Sequence, residues 1–201
     1  MKVLALNGSP RRKGNTAHSI GVVLNELNAA GIETEMMQLG GSKVFGCLHC
    51  EACVKNRNLR CARTDDDMNE FIRKSFDADG IIIGSPTYVS NVSTEVKAYI
   101  DRCNYVNRAN DGVILRGKVG APVVAMARSG GTFTYSAINF FFGIAEMIIP
   151  GSSYWNLAIG HHPGEAEKDA MGMETFRVLG KNMADLMHRL DSTRPGGRET
   201  P

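Results

Sequence analysis

"KVLALNGSPRRKGNT", residues 2–16, is a short apolar run that breaks into a loop of glycine, proline and polar residues. The run "KVLALN" (2–7) is too short for a helix, and the "GSP" after it is a turn signal, so it reads as a buried strand. The next segment, "TAHSIGVVLNELNAA" (16–30), spaces Ile20, Val23, Leu24 and Leu27 at helical intervals and stops at Gly31. Strand, tight loop and helix make the first half of a βαβ unit.

The pattern recurs along the chain. Further strands are expected at 32–39, 80–85 and 119–127, with a fifth near 150–159. Further helices are expected at 65–78, 93–106, 133–149 and 165–190. Thr64 is the expected cap of the 65–78 helix, whose first turn would carry the acids of "DDD", where they suit the dipole. Strands alternating with helices imply a parallel sheet covered by helices on both faces. No linker, internal repeat or low-complexity segment divides the chain, so residues 1–190 are expected to form one domain. Residues 191–201, "DSTRPGGRETP", are expected to be a flexible tail.

In such sheets ligands bind beyond the carboxyl ends of the strands, at the switch point. The loop "NGSPRRKGNT" (7–16) opens a helix and carries Ser9, Asn15 and Thr16, with Arg11 and Lys13 nearby. Helix-start N–H groups and positive charge suit a phosphate. The spacing matches neither the P-loop nor the dinucleotide G-x-G-x-x-G, and a plain turn capped by Asn15 is the alternative. The loop "GSPTYVSN" (84–91) offers a stiff turn with the Tyr88 ring, and "ARSGGT" (127–132) lets backbone approach a flat ligand at Gly130 and Gly131. Together the three loops suit a mononucleotide with one phosphate and a planar ring, a description that FMN fits.

One connection is long. Residues 40–64 contain Cys47, Cys50, Cys53 and Cys61, four of the five cysteines. Structureless loops beyond about 12–15 residues are uncommon and usually functional. "MKVLALNGS" has too few apolar residues for a secretory signal, and no run approaches membrane-spanning length. The expected compartment is the cytoplasm, where thiols stay reduced, so disulfides are a poor account of this loop. Zinc, an iron–sulfur cluster and free thiols all stay open on the residues alone. A net charge of +2 with scattered basic residues gives no nucleic-acid footprint.

The chain resembles the iron–sulfur flavoprotein family, a branch of the NADPH-dependent FMN reductase group with the flavodoxin-like fold. The resemblance is carried by "GSPR…GNT", the compact C-x2-C-x2-C-x7-C, "DDDM", "ADGIIIGSPTY" followed by "VKAYIDR", the "SGG" loop and "PGEAEKDAMGMETFRVLGKNMA". It runs from about residue 2 to 190. It implies a five-stranded sheet in the order 2-1-3-4-5 and an FMN-dependent oxidoreductase. Ser9, Arg11, Asn15 and Thr16 would hold the phosphate, while Pro86, Thr87, Tyr88, Asn91, Ser129, Gly130 and Gly131 would line the flavin. Cys47, Cys50, Cys53 and Cys61 would ligate a [4Fe–4S] cluster, since three closely packed cysteines suit a cluster better than zinc. The implied partners are a ferredoxin-like donor or NAD(P)H and a small-molecule acceptor, with no nucleic acid and no membrane. A cluster-free NAD(P)H-dependent FMN or quinone reductase and a non-enzymatic flavin electron carrier or redox sensor are the alternatives.

Other residues have plainer readings. Cys103 falls on the apolar stripe of a helix and fills core space. His49 is a loop residue inside the cysteine motif, and His161 and His162 are solvated. Phe140, Phe141 and Phe142 are consecutive and cannot all face one core, so at least one should meet another copy in a homodimer or homotetramer.

Overall fold

The computed structural model describes residues 1–193. They form one parallel five-stranded sheet: β1 (Lys2–Asn7), β2 (Glu33–Gln38), β3 (Gly80–Pro86), β4 (Val119–Met126) and β5 (Leu157–Ile159). The spatial order is β2-β1-β3-β4-β5, the doubly wound flavodoxin-like arrangement expected above. Helices α1 (Asn15–Ala29), α2 (Ala52–Asn56), α3 (Met68–Asp77), α4 (Thr94–Ala109), α5 (Gly131–Ile144) and α6 (Ala170–Ser192) complete it.

The central strands are apolar throughout because both faces are covered. Val3 and Ala5 belong to the core beneath α1 and α6, and Leu4 and Leu6 to the core beneath α3, α4 and α5. All four are fully buried. Such two-sided burial turns the usual period-two alternation into a continuous apolar run. β2, at the edge, is only half-buried, and its Glu35 pairs with Lys2 and Lys74.

Four expectations about elements need correction. The acids at 65–67 precede α3 instead of forming its first turn, and Thr64 does not cap it. Asp66 turns inward to Arg102, and Asp67 binds the Lys43 N–H at 3.2 Å. The helix expected over 133–149 is α5, which begins at Gly131 and ends at Ile144. Glu146 then adopts a left-handed φ of 55°, and Ile148 pairs with the start of β4. Residues 165–190 are two elements: a 3-10 turn at Glu165–Lys168, then α6, whose first turn the Asp169 carboxylate caps through Gly172 N at 3.0 Å. The cysteine loop is not structureless, because α2 forms inside it. Of the expected tail, Asp191 and Ser192 still belong to α6, and residues 194–201 lie outside the described residues.

Candidate functional site

The loop after β1 lies flush on β3. Gly8 N donates to Gly84 O at 2.8 Å, and a Cβ on Gly8 would meet that oxygen at 2.6 Å and a Val96 methyl at 2.2 Å. Only glycine fits there. The chain then curls, with Ser9 Oγ accepting from Arg11 N at 3.2 Å, and enters α1 at Gly14. Glycine has no side chain to cap the first-turn N–H groups, so Asn15 is not the cap that a plain turn would have used.

Ser9, Arg11, Asn15 and Thr16 form one wall of a cleft of about 280 Å³, and Pro86, Thr87 and Tyr88 form part of another. Seven of the eleven residues expected to meet FMN therefore border one cleft at the carboxyl ends of β1, β3 and β4. Asn91, Ser129, Gly130 and Gly131 are not among the residues that line it. Tyr88 and Asn91 exchange backbone hydrogen bonds at 2.9 and 3.0 Å around Val89 and Ser90, both left-handed. This is the two-residue turn with positive φ at both central positions. Gly130, at φ 83°, packs against it so closely that a Cβ would lie 2.4 Å from Ser90 Oγ. The "SGG" loop thus shapes the turn that carries Tyr88.

Asn15 has a role the sequence hides. Its Nδ2 donates to Gly160 O and His162 O, both at 2.9 Å, and its Oδ1 accepts from Gly164 N at 2.9 Å. Its side-chain amide is committed to the loop after β5. That loop brings Gly160 and His161 to the cleft, beside Ala125, Met126 and Ala127 at the end of β4. Sequence reading omitted these five. Applying the carboxyl-end rule to the fifth strand as well as to the others would have found Gly160 and His161. Glu165 accepts the His162 and His161 N–H groups, which holds its carboxyl below the usual range.

A second, narrow cavity of about 20 Å³ adjoins the loop after β2, and all four cysteines Cys47, Cys50, Cys53 and Cys61 border it. Cys47 and Cys50 are exposed, Cys61 is half-buried and Cys53 is buried. Burial, then the neighbouring Cys61 and Cys47 sulfurs, push the Cys53 thiol up. Among the described residues no three His, Cys, Asp or Glu side chains stand close enough to hold one metal ion. All four cysteines border this one cavity, and four thiolate donors fit a four-iron cluster in kind; a single zinc would draw their sulfurs to roughly 3.8 Å from one another.

The loop is held from beneath. Asp66 and Arg102 form an ion pair with 0% and 1% of their side chains exposed, and Asp66 Oδ2 also accepts the Phe45 N–H at 2.9 Å. Burial works against the Asp66 charge, but Arg102 and the Phe45 N–H outweigh it and hold the carboxyl below its usual range. Asn69 clasps Cys61 by both backbone groups, at 2.8 and 3.0 Å. His49 meets the Tyr105 hydroxyl at 2.7 Å at the cavity rim. Cys103 is fully buried, and burial pushes its thiol up to about 12. It stays neutral in the core, as expected. No helix among the described residues is long and apolar enough to cross a membrane.

A model of the family described as NADPH-dependent FMN reductase matches residues 1–162. The chain is 37% identical over 194 residues to an iron-sulfur flavoprotein of Methanocaldococcus jannaschii, covering 93% of this chain and 97% of that one. It is 33% identical over 196 residues to an iron-sulfur flavoprotein of Methanosarcina thermophila, covering 96% and 99%. Among solved structures it is similar to RosB with bound 8-demethyl-8-formylriboflavin-5'-phosphate. That match has a TM-score of 0.76 at 19% identity and covers 96% of this chain and 81% of that one.

Proposed function

Because this chain belongs to the NADPH-dependent FMN reductase family, in its iron–sulfur flavoprotein branch, we propose that it carries a [4Fe–4S] cluster beside its FMN. It is an FMN-dependent oxidoreductase. In the proposed reaction electrons pass between a one-electron donor of the ferredoxin type, or NAD(P)H, and a small acceptor. The observation that carries the cluster is that all four cysteines of the compact motif border one cavity.

The residues divide the work. The Ser9 and Thr16 hydroxyls, the first-turn N–H groups of α1 and the Arg11 guanidinium supply donors for the phosphate. Asn15 contributes through its backbone, its side chain being tied to the loop after β5. Pro86, Thr87 and Tyr88 border the flavin ring, Asn91 closes the Tyr88 turn, and Gly130, between Ser129 and Gly131 in the chain, packs against that turn. When bound, FMN supplies hydride and single-electron chemistry and the cluster supplies single-electron chemistry. The side chain of Gln38 links the two sites, donating to Ser9 O and Gly40 O at 2.6 Å each. It thereby ties the end of β2, where the cysteine loop departs, to the phosphate loop.

Protein purified without oxygen tests the reading. It should show a broad brown absorption beneath the flavin bands, with about four iron and four sulfide per chain. FMN without iron or sulfide would leave a cluster-free reductase. The exposure of Cys47 and Cys50 favours that second reading. It requires fast NAD(P)H oxidation that survives both Cys50→Ser and Cys53→Ser.

A further inference from the structure

Arg102 is the largest fully buried side chain among the described residues, and it borders the cysteine cavity. Its two terminal nitrogens are occupied. Nη1 donates to Asp66 Oδ2 and to Phe45 O at 3.0 Å, and Nη2 donates to Asp66 Oδ1 at 3.1 Å and more weakly toward Arg63 O at 3.3 Å. These bonds account fully for an anchor of the loop base. They leave Nε, whose N–H is buried and has no partner among the described residues. Buried N–H groups in native proteins are almost always bonded, and the acceptor within reach of this guanidinium is the sulfur of Cys61, one of the four cysteines at the cavity.

We propose that the Nε–H of Arg102 donates a hydrogen bond to a sulfur of the cluster held by Cys47, Cys50, Cys53 and Cys61, and so raises the cluster's reduction potential. The inference rests on the cluster reading above. Hydrogen bonds to the sulfurs are one of the levers that set such potentials. An added electron makes the cluster more negative, and a fixed cationic donor stabilises that form more than the oxidised one. Arg102 is thus a positioning residue with two duties. One face of the fork holds Asp66 and the Phe45 carbonyl, and the remaining edge serves the metal group. Lysine at this position could keep the charge for Asp66 but has no second nitrogen for sulfur.

The experiment uses anaerobic, cluster-bearing protein grown on arginine labelled with 15N at Nε. Electron–nuclear double resonance of the reduced cluster should show a 15N coupling in the wild type, and it should persist in Arg63→Lys, the other arginine at the cavity. In Arg102→Lys the coupling should vanish. The cluster midpoint should fall by a tenfold change in the one-electron equilibrium constant, about 59 mV, while the FMN midpoint stays in place. Should Arg102→Lys fail to retain its cluster, the coupling in the wild type and in Arg63→Lys decides alone. A cluster with no 15N coupling, or an Arg102→Lys midpoint equal to wild type, overturns the inference and leaves the cluster reading intact. Wild-type protein without iron overturns both.

Discussion

With none of its side chain exposed, the Asp66 carboxylate depends on Arg102 and the Phe45 N–H to stay charged. Removing one partner of a buried pair strands the other, at a cost of about 3–5 kcal/mol. Asp66→Ala should therefore lose stability of that order in urea melts, far more than Asp65→Ala, whose carboxylate is largely exposed. The pair also sets an acid limit. The folded pKa of Asp66 is lowered from 3.8, so its contribution is complete above the unfolded value and is lost as pH falls through the folded one. Melts between pH 5 and 2 should show Asp66→Asn losing less stability on acidification than wild type. At the flavin cleft, Ser9→Ala and Thr16→Ala should each weaken FMN binding by about 1.5–3 kcal/mol, roughly tenfold or more, in fluorescence titrations. Unchanged affinity in both would remove the loop from the site. The placement of Ser9 and Thr16 at the cleft was legible because it is local, a hydroxyl beside a helix start. Asp66 and Asn15 were not, because their partners lie 36 and about 150 residues away and no local pattern announces them.

Among the elements, the cysteine loop is held by the least of its own structure. α2 has five residues, well short of what sustains an isolated helix. His49, Glu51, Arg57 and Leu59 all adopt left-handed backbone, each a local strain that the surroundings must offset. Thiolates bound to one rigid body would provide that constraint. Cys50→Ser should abolish the brown absorption, preserve the flavin bands and slow reduction by ferredoxin. Limited proteolysis should then cut between residues 46 and 64, where wild-type protein resists. Equal resistance in both proteins would mean that the loop holds its own shape. Sequence periodicity finds β1, α1 and α4 to within a few residues because a buried stripe dictates them. It overextends α5 because the apolar run "EMII" continues, yet Ile148 lies along β4 and pairing with Val119 displaces the helix. The start of α3 is missed for a similar reason, since acids suited to a helix dipole are drawn to Arg102 and the Lys43 backbone instead.

At the scale of the whole molecule, the order 2-1-3-4-5 sets β1 beside both β2 and β3, so the phosphate loop and the cysteine loop open at the same edge of the sheet. The alternation of strands and helices was legible in the residues, whereas the strand order followed from the family resemblance. What covers the outside of the domain was less so. Of the three consecutive phenylalanines, Phe141 and Phe142 are buried and Phe140 is 75% exposed. Phe133 and Ile144, seven residues before and four after it on α5, are exposed too, which gives the helix an outward apolar stripe. A large exposed apolar stripe marks an interaction surface, and the commonest partner is a second copy related by a closed symmetry. Light scattering at micromolar concentration should therefore give a dimer or tetramer, and Phe140→Glu should shift it toward monomer. FMN content should not change in that variant, because α5 meets the cleft only through its first turn, where Thr134 bonds Thr87 at 3.1 Å. A wild-type monomer at that concentration would leave the stripe to some other partner, and a Phe140→Glu oligomer as large as wild type would move the interface off α5.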